Sequence, residues 1–230
     1  MKKPRIYNNI NGLLIINKPK GWTSFDVVAK VRNMLNVKKV GHTGTLDPMA
    51  TGVLVLCLGK ATKLAQKMIG LDKKYVAQIT LGATSNTDDA EGEVVENKEA
   101  GVKSFKEVQQ VLKAFEGVIQ QTPPAYSAKK IKGKRAYKLA REGKKVELKP
   151  VDVTIYELEI LHYKWPTLEL RLKCSKGFYV RALARDVGEK LGVGGYLSAL
   201  KRTRVGEYGL DGAVEIEEVS EEKVMGVRVV

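Results

Sequence analysis

A single carboxylate, Asp47, lies in the segment GHTGTLDPMATG (residues 41–52), which holds three glycines and His42 and leads directly into the apolar run VLVLCLG. Asp-Pro is typical of a helix start, because aspartate caps the first turn and proline occupies the first helical position. Glycines, in contrast, let a ligand approach the backbone closely. The segment therefore has two interpretations: a helix cap, or an acid placed to act on a ligand.

Phosphate-loop and metal chemistry fit the chain poorly. The glycine-rich segment lacks the Lys and Ser/Thr pair that closes a P-loop. The sequence SNTDDAEG (residues 85–92) departs from the spacing of a calcium loop and predicts an acidic turn instead. His42 and His162 are far apart in the sequence. Since Cys57 and Cys174 also lack the spacing of a zinc site or a disulfide framework, we expect no metal site.

Positive charge dominates the chain and is concentrated in one segment. The 230 residues include 40 Lys or Arg against 26 Asp or Glu, a formal net charge of +14, which favours a polyanionic partner such as nucleic acid. Residues 129–149 contain ten Lys or Arg and two acids, a net charge of +8. A solvated surface is one interpretation of this run. The other is RNA binding, because tyrosines among the basic residues can stack on unpaired bases. The RNA-binding candidates are Tyr126, Lys129, Lys130, Lys132, Lys134, Arg135 and Tyr137.

The elements that must position these residues follow from hydrophobic periodicity. Strands are predicted in GLLIINKPKG, VLVLCLG, KKYVAQITLG, VDVTIYELEILHY and TLELRLKCS. Helices are predicted in TSFDVVAKVRNML, with a cap at Thr23 or Ser24, and in KATKLAQKMIG, SFKEVQQVLKAFEG, GFYVRALARDVGEKLG and LSALKR. Because strands and helices alternate irregularly, the predicted class is α+β with a mixed sheet.

Two arginines share one face of the helix GFYVRALARDVGEKLG, since Arg181 and Arg185 are four residues apart. They either pair with acids on the surface of the protein or, with Tyr179 at the start of the helix, enter a pocket. In a pocket, Arg181 would orient a carboxylate through a two-pronged hydrogen bond.

The N-terminus predicts neither export nor membrane insertion. Its apolar run, LLII, is too short for a signal-peptide core or a membrane span. Together with the low cysteine content, this favours a cytoplasmic protein with no membrane partner.

Several long motifs resemble the TruB family of bacterial tRNA pseudouridine synthases, which modify uridine 55 in the T loop. They are GHTGTLDPMATGVLVLCLGKATKL, DKKYVAQITLG with TSNTDDAEG, QTPPAYSAKKIKGKRAYKLAREG and CSKGFYVRALARDVGEKLG. The resemblance implies a pseudouridine synthase catalytic domain over residues 1–210, with a basic RNA-binding thumb inserted at 120–150. Residues 211–230 would form a short tail, and the PUA-like C-terminal domain of longer members would be largely absent.

The resemblance also implies the roles of individual residues. Asp47 would be the catalytic aspartate, Tyr75 would stack on the target base, and Arg181 would pair with the aspartate. The residues that bind the substrate would be His42, Tyr179, Leu200 and Lys18. The reaction detaches uracil from C1′ and rejoins it through C5, so it requires no cofactor, and the expected state is a monomer that binds the T stem-loop of tRNA.

Two other functions remain open at this stage. A non-catalytic RNA-binding or RNA-folding module would need the basic segment but not Asp47. The catalytic subunit of a guide-RNA-directed particle would share the catalytic motifs. The thumb region with its own tyrosines favours the stand-alone tRNA enzyme.

Overall fold

The structure is a computed structural model that describes residues 6–227 except Ala128, Lys132 and Lys145, and leaves out the side chain of Lys130. The predictions for Lys132 and for the Lys130 side chain therefore lie outside the described residues. The chain divides into two compact units. The first contains the described residues of Met1–Lys74 and Lys201–Val230, and the second contains those of Tyr75–Leu200.

The described residues form thirteen strands and five α-helices. The strands are β1 (Gly12–Lys18), β2 (Val40–His42), β3 (Thr51–Leu58), β4 (Lys73–Leu81), β5 (Ala83–Ser85), β6 (Val94–Glu96), β7 (Gly117–Gln121), β8 (Lys130–Ile131), β9 (Lys134–Arg135), β10 (Val151–Lys164), β11 (Thr167–Cys174), β12 (Gly195–Val205) and β13 (Tyr208–Gly209). The helices are α1 (Ser24–Met34), α2 (Ala65–Ile69), α3 (Phe105–Lys113), α4 (Ala136–Arg141) and α5 (Val180–Lys190). Short 3₁₀ turns cover Gly59–Leu64, Leu210–Gly212, Ile216–Glu218 and Glu221–Lys223.

Strand β3 is the centre of the first unit. It pairs antiparallel with β1 and β2 and parallel with β12, where Arg202 lies opposite Gly52. The mixed sheet confirms the predicted α+β class. Nearly every residue of β1 and β3 is buried, which explains why their sequences are continuously apolar and do not alternate.

Helix α1 precedes the Asp47 segment and has a well-formed N-terminus. The Thr23 hydroxyl accepts a hydrogen bond from the backbone N–H of Asp26, and the Asp26 carboxylate accepts one from the backbone N–H of Thr23. This capping box confirms the cap that the sequence predicted at Thr23 or Ser24. It also fixes Ser24 as the first helical residue, with its side chain buried.

The chain after β13 pairs with the edge of β1. Leu13 and Met225 exchange two backbone hydrogen bonds of 2.9 and 2.8 Å, and the N–H of Val214 donates to the carbonyl of Ile15 at 2.9 Å. A Cβ atom on Gly12 would lie 2.3 Å from the carbonyl oxygen of Met225. Glycine at this position therefore permits the close approach, and the described part of the predicted tail belongs to the first unit.

The second unit has a sheet in the order β12-β4-β11-β10-β7. Strands β10 and β11 form a long antiparallel hairpin, and β7 pairs antiparallel with β10. Helix α3, predicted in SFKEVQQVLKAFEG, buries Val108 and Leu112. The thumb segment, residues 120–150, contains the short β8–β9 hairpin followed by α4.

The predicted helix LSALKR is wrong, because residues 197–202 lie within β12. A six-residue stretch of good helix formers carries a weak local preference, and pairing with neighbouring strands overrides it. The strand conformation has a consequence for the side chains. Arg202 is 2% exposed, whereas Lys201 beside it is exposed.

None of the helices in the described part of the chain combines the length and the hydrophobicity that a membrane crossing requires.

Candidate active site

Asp47 begins a tight turn between β2 and β3. The backbone N–H of Ala50 donates to the carbonyl of Asp47 at 3.0 Å, so Pro48 and Met49 occupy the two corners of the turn. Aspartate at the first position and proline at the second are the residues that such turns prefer. No helix starts here, and the helix-cap interpretation of Asp-Pro is wrong. Asp47 is a half-buried carboxylate on a loop.

Arg202 ties together the two ends of the loop that carries Asp47. Its guanidinium donates to the carbonyl of Val53 from Nε at 2.8 Å, to that of Gly44 from Nη2 at 3.1 Å and to that of Thr45 from Nη1 at 3.4 Å. Gly44 and Thr45 precede Asp47, whereas Val53 follows the turn in β3. One buried side chain therefore holds both the entry and the exit of the loop.

Two further anchors hold the middle of the loop. The Ser24 hydroxyl accepts a hydrogen bond from the N–H of Leu46 at 2.8 Å and donates to its carbonyl at 3.1 Å. The carbonyl of Pro48 accepts from the N–H of Gly21 at 2.8 Å and from Lys18 Nζ at 3.3 Å. Together with Arg202 and the turn itself, these bonds give every backbone carbonyl from residue 44 to residue 48 a donor.

Lys18, predicted to support the site, is fully buried at the end of β1. Its ammonium also donates to the carbonyls of Trp22 at 2.6 Å and Pro19 at 2.9 Å. These bonds satisfy a charge that would be costly to bury alone. Lys18 therefore joins the β1–α1 connection to the Asp47 turn.

His42 ends β2, five residues before Asp47, and is half-buried. Its Nδ1 accepts a hydrogen bond from the N–H of Gly44 at 3.3 Å. Burial lowers the pKa of His42 from its ordinary value, and the positive charge of Arg202 lowers it further. The imidazole is therefore neutral at pH 7.

Arg181, in the first turn of α5, is held by backbone and carboxylate oxygens of the second unit. It is 6% exposed and donates to the carbonyl of Tyr126 at 3.0 Å and to that of Thr87 at 3.2 Å. Its Nη1 lies 3.4 Å from Oδ2 of Asp89, itself 2% exposed. The pairing of Arg181 with Asp47 stays a prediction.

The acidic turn at residues 85–92 is the partner of α5. The other carboxylate oxygen of Asp89 accepts from the Thr87 hydroxyl at 2.6 Å and from the N–H of Glu91 at 3.0 Å. Arg185 lies one helical turn after Arg181 and pairs with Asp88 at 2.9 Å. Burial raises the pKa of Asp88, an effect that the charge of Arg185 opposes. Both arginines therefore share a face of α5, as predicted, and both pair with acids of this turn.

The other predicted site residues of the second unit lie on α5, β4 and β12. Tyr179 caps α5, and its N–H and carbonyl both bond to the side-chain amide of Gln121, at 2.9 and 3.1 Å. Tyr75 in β4 is 8% exposed, and Leu200 in β12 is 9% exposed. Their roles in binding uridine stay predictions.

The thumb segment presents exposed positive charge. Lys134 and Arg135, which form β9, are exposed, and Lys129 is half-buried. The Tyr137 ring lies under Arg141, whose guanidinium carbon is 5.7 Å from the ring centre. Tyr126 contributes its carbonyl to Arg181. This arrangement is compatible with phosphate binding by the predicted residues that the structure describes.

A second concentration of positive charge, which the sequence reasoning missed, surrounds an open groove of about 260 Å³ in the first unit. Three asparagines and four lysines contribute to its lining: Asn8, Asn9, Asn11, Lys38, Lys39, Lys60 and Lys63. None of the predicted site residues lines it. The lysines come from two separate stretches of the sequence, so no local run of charge revealed the groove.

Comparison with known proteins adds a second line of observation to this geometry. The family model described as TruB family pseudouridylate synthase, N-terminal domain, matches residues 32–180. The model of the tRNA pseudouridylate synthase B C-terminal domain matches residues 181–226.

The chain belongs to the TruB family.

Three curated relatives share the name tRNA pseudouridine synthase B. The Francisella philomiragia protein is 47% identical over 222 residues, which make up 96% of this chain and 73% of that protein. The Caldanaerobacter subterraneus protein is 48% identical over 94% of this chain and 76% of its own length. The Aquifex aeolicus protein is 49% identical over 91% of this chain and 73% of its own length.

Two solved structures of macromolecular complexes share the fold of this chain. A Cbf5–Nop10–Gar1 complex matches with a TM-score of 0.70 and 31% identity over 90% of this chain. An H/ACA RNP bound to a substrate RNA containing 2′-deoxyuridine matches with a TM-score of 0.68 and 29% identity over 90% of this chain. This TruB family chain spans about half the length of the two matched chains, 53% and 51%.

The buried state of His42 predicts a pH dependence of stability. Because its folded-state pKa lies below the unfolded value of about 6.5, the unfolded chain binds more protons as the pH falls below about 6.5, and the free energy of unfolding decreases. His42→Gln should remove this part of the pH dependence. Urea unfolding of both proteins between about pH 7.5 and pH 5 measures it.

His162→Gln, at an exposed position of β10, controls for the loss of a histidine as such. If the wild type and His42→Gln lose stability in parallel over this range, the neutral state of His42 is not maintained by the fold.

Proposed function

We propose that this chain isomerises uridine 55 in the T loop of tRNA to pseudouridine. The observation that carries the proposal is its identity of 47–49% over more than nine-tenths of the chain to proteins named tRNA pseudouridine synthase B. Asp47 and Tyr75 lie within the part that the N-terminal family model matches, and Arg181 is the first residue of the part that the C-terminal model matches. The proposed enzyme is a cytoplasmic monomer, with its catalytic domain over residues 1–210, its thumb at 120–150 and a tail at 211–230.

Asp47 is the proposed catalytic group. In the reaction the C1′–N1 bond breaks, a C1′–C5 bond forms, the C5 proton leaves to solvent and N1 gains a proton, so atoms balance without a redox or group-transfer cofactor. A carboxylate can attack a carbon centre as a nucleophile or remove a proton from the sugar. Either role needs the carboxylate ionised and fixed in place. The hydrogen-bonded loop around Asp47 supports this requirement.

Arg181 and Tyr75 are proposed to assist Asp47. Arg181 would keep the aspartate ionised by charge pairing, and its bonds to Asp89 and to two carbonyls support a fixed guanidinium. Tyr75 would hold the detached base. Leu200 would contribute an apolar wall that excludes the water able to capture the sugar.

Access to the target base requires that it leave the stacked T loop. Enzymes that act on a base within folded RNA flip it into a pocket. We propose that neutral His42 fills part of the vacated space and that Tyr179 and Lys18 complete the uridine site. The exposed lysines and arginines of the thumb segment would hold the surrounding phosphates.

A guide-RNA-directed activity is the second candidate. The similarity to the H/ACA RNP and the Cbf5 complex favours it. At 29–31% identity, however, these proteins are more distant from this chain than the curated tRNA pseudouridine synthases at 47–49%. A non-catalytic RNA-binding role would leave the family motifs around Asp47 without a use.

The proposed function predicts that the purified chain alone converts uridine 55 of a T stem-loop RNA to pseudouridine. Uridine and pseudouridine have equal mass, so the RNA is digested and the nucleosides are separated by chromatography before mass spectrometry. A stem-loop with cytidine at the target position is the matched control. If product forms only after guide RNA and other proteins are added, the particle function replaces the proposed one, and no product under either condition leaves RNA binding alone.

The thumb charge predicts a salt-dependent contribution to RNA affinity. Four exposed residues are replaced together by glutamine: Lys134, Arg135, Lys138 and Lys149. If all four contact phosphates, the slope of log affinity against log salt should decrease by about 3, at roughly 0.7 to 0.9 per contact. Fluorescence anisotropy of a labelled T stem-loop over a salt series measures the slope.

The matched control removes the same charge elsewhere in the second unit. It replaces four exposed lysines by glutamine: Lys98, Lys106, Lys113 and Lys164. An equal decrease in slope for both variants would mean that the thumb segment has no special contact with the RNA.

A further inference from the structure

We propose that Arg202 and Ser24 form a clamp on the segment Gly44–Leu46 and that this clamp positions Asp47 for catalysis. The inference rests on the proposed function, because it assigns a task to residues that do not themselves react. Both are positioning residues. Neither was found by reasoning from the sequence.

Arg202 is a buried cation with an unusual set of hydrogen-bond partners. At 2% exposure its guanidinium is as enclosed as the core leucines, and among the described residues it has carbonyl acceptors but no carboxylate partner. Burying an ion without a counter-charge is costly, and an apolar side chain of similar volume often gives a more stable protein. Stability alone therefore explains Arg202 poorly, whereas the geometry of its three bonds explains it well.

The planar guanidinium of Arg202 donates hydrogen bonds to both ends of the loop. Nε donates to Val53 in β3, and the two Nη atoms donate to Gly44 and Thr45 on the other side of the turn. A lysine could donate from one point only and could not reproduce this fork. The backbone of Arg202 also lies very close to Gly52, because a Cβ on Gly52 would be 2.2 Å from the carbonyl oxygen of Arg202. Gly52, at φ 98°, permits that approach.

Ser24 is the second residue of the clamp. Its hydroxyl forms a two-way link with Leu46, accepting from the N–H and donating to the carbonyl. Ser24 is 2% exposed and is held in place by the capping box at the start of α1. Leu46 itself is 2% exposed and directly precedes Asp47. The residue before the carboxylate therefore has both of its backbone polar groups tied to a helix end.

The consequence for Asp47 is a restricted backbone on both sides. Leu46 is fixed by Ser24 before the carboxylate, and the turn to Ala50 and the bond of Val53 to Arg202 fix the chain after it. Catalytic groups need positions within about 0.5 Å of the productive geometry. A displacement of about 1 Å can reduce a rate by roughly 100-fold.

The test measures rate and affinity separately in Arg202→Lys and Ser24→Ala. Single-turnover pseudouridine formation in a T stem-loop, with enzyme in excess, should be slowed by about tenfold to 100-fold in each variant. The dissociation constant for the stem-loop should stay within about threefold of the wild-type value, because the phosphate contacts that dominate affinity are unchanged. If Arg202 and Ser24 served only to stabilise the fold, the rate would not decrease while the affinity stayed constant.

Two control variants lie in the same strand. Arg204→Lys changes an exposed arginine whose guanidinium bonds to the carbonyl of Glu207, and it should keep the wild-type rate. Val205→Ala removes buried apolar volume from the core of the first unit. It should lower the melting temperature while leaving the rate of the folded enzyme close to wild type.

The measured rates decide whether the clamp positions Asp47. Folded Arg202→Lys and Ser24→Ala proteins that both react within about twofold of the wild type would overturn it. A slowing no greater than that of Val205→Ala at an equal loss of melting temperature would also overturn it. If Arg202→Lys does not fold, Ser24→Ala decides alone. A wild type that forms no pseudouridine would instead overturn the proposed function, and the clamp with it.

Discussion

The loop that carries Asp47 depends on one set of interactions: five consecutive backbone carbonyls, from residue 44 to residue 48, accept hydrogen bonds that no strand or helix ladder supplies. Buried carbonyls without donors are costly, and a glycine-rich turn has no ladder to supply them. The fold supplies them from Arg202, Ser24 and Lys18, together with backbone N–H groups. The same bonds that make the turn stable therefore also fix the carboxylate in space.

The two units use buried cations in different ways. In the first unit, Lys18 and Arg202 donate to carbonyls and shape the backbone. In the second, buried Arg181 and half-buried Arg185 pair with the carboxylates of Asp89 and Asp88 and thereby tie the acidic turn to α5. These charges differ in role from the exposed lysines and arginines of the thumb segment, for which we propose long-range attraction of RNA. The net charge of +14 thus includes cations that hold the backbone or pair with acids as well as the exposed cations of the thumb segment.

Local signals predicted most of the fold but little of the support around the site. Continuous apolar runs identified β1 and β3, and the cap at Thr23 was confirmed. The helix predicted in LSALKR failed because strand pairing is a long-range effect that a six-residue stretch does not encode. That error also hid Arg202, since only the strand conformation turns it inward. The contacts of Arg202 with the Asp47 loop join residues about 150 positions apart, and no periodicity or spacing reveals such a pair.

The most direct test of the account is the chemistry of Asp47→Asn. Asparagine keeps the size of the side chain and its turn-forming ability but removes the negative charge and the reactive oxygen. Tritium release from a T stem-loop with C5-labelled uridine, measured with enzyme in excess, reports chemistry independently of binding. The account predicts no detectable release, with melting temperature and RNA affinity close to those of the wild type. An Asp47→Asn protein that retained about a tenth of the wild-type rate, a loss of only about 1.4 kcal/mol in transition-state stabilisation, would contradict it.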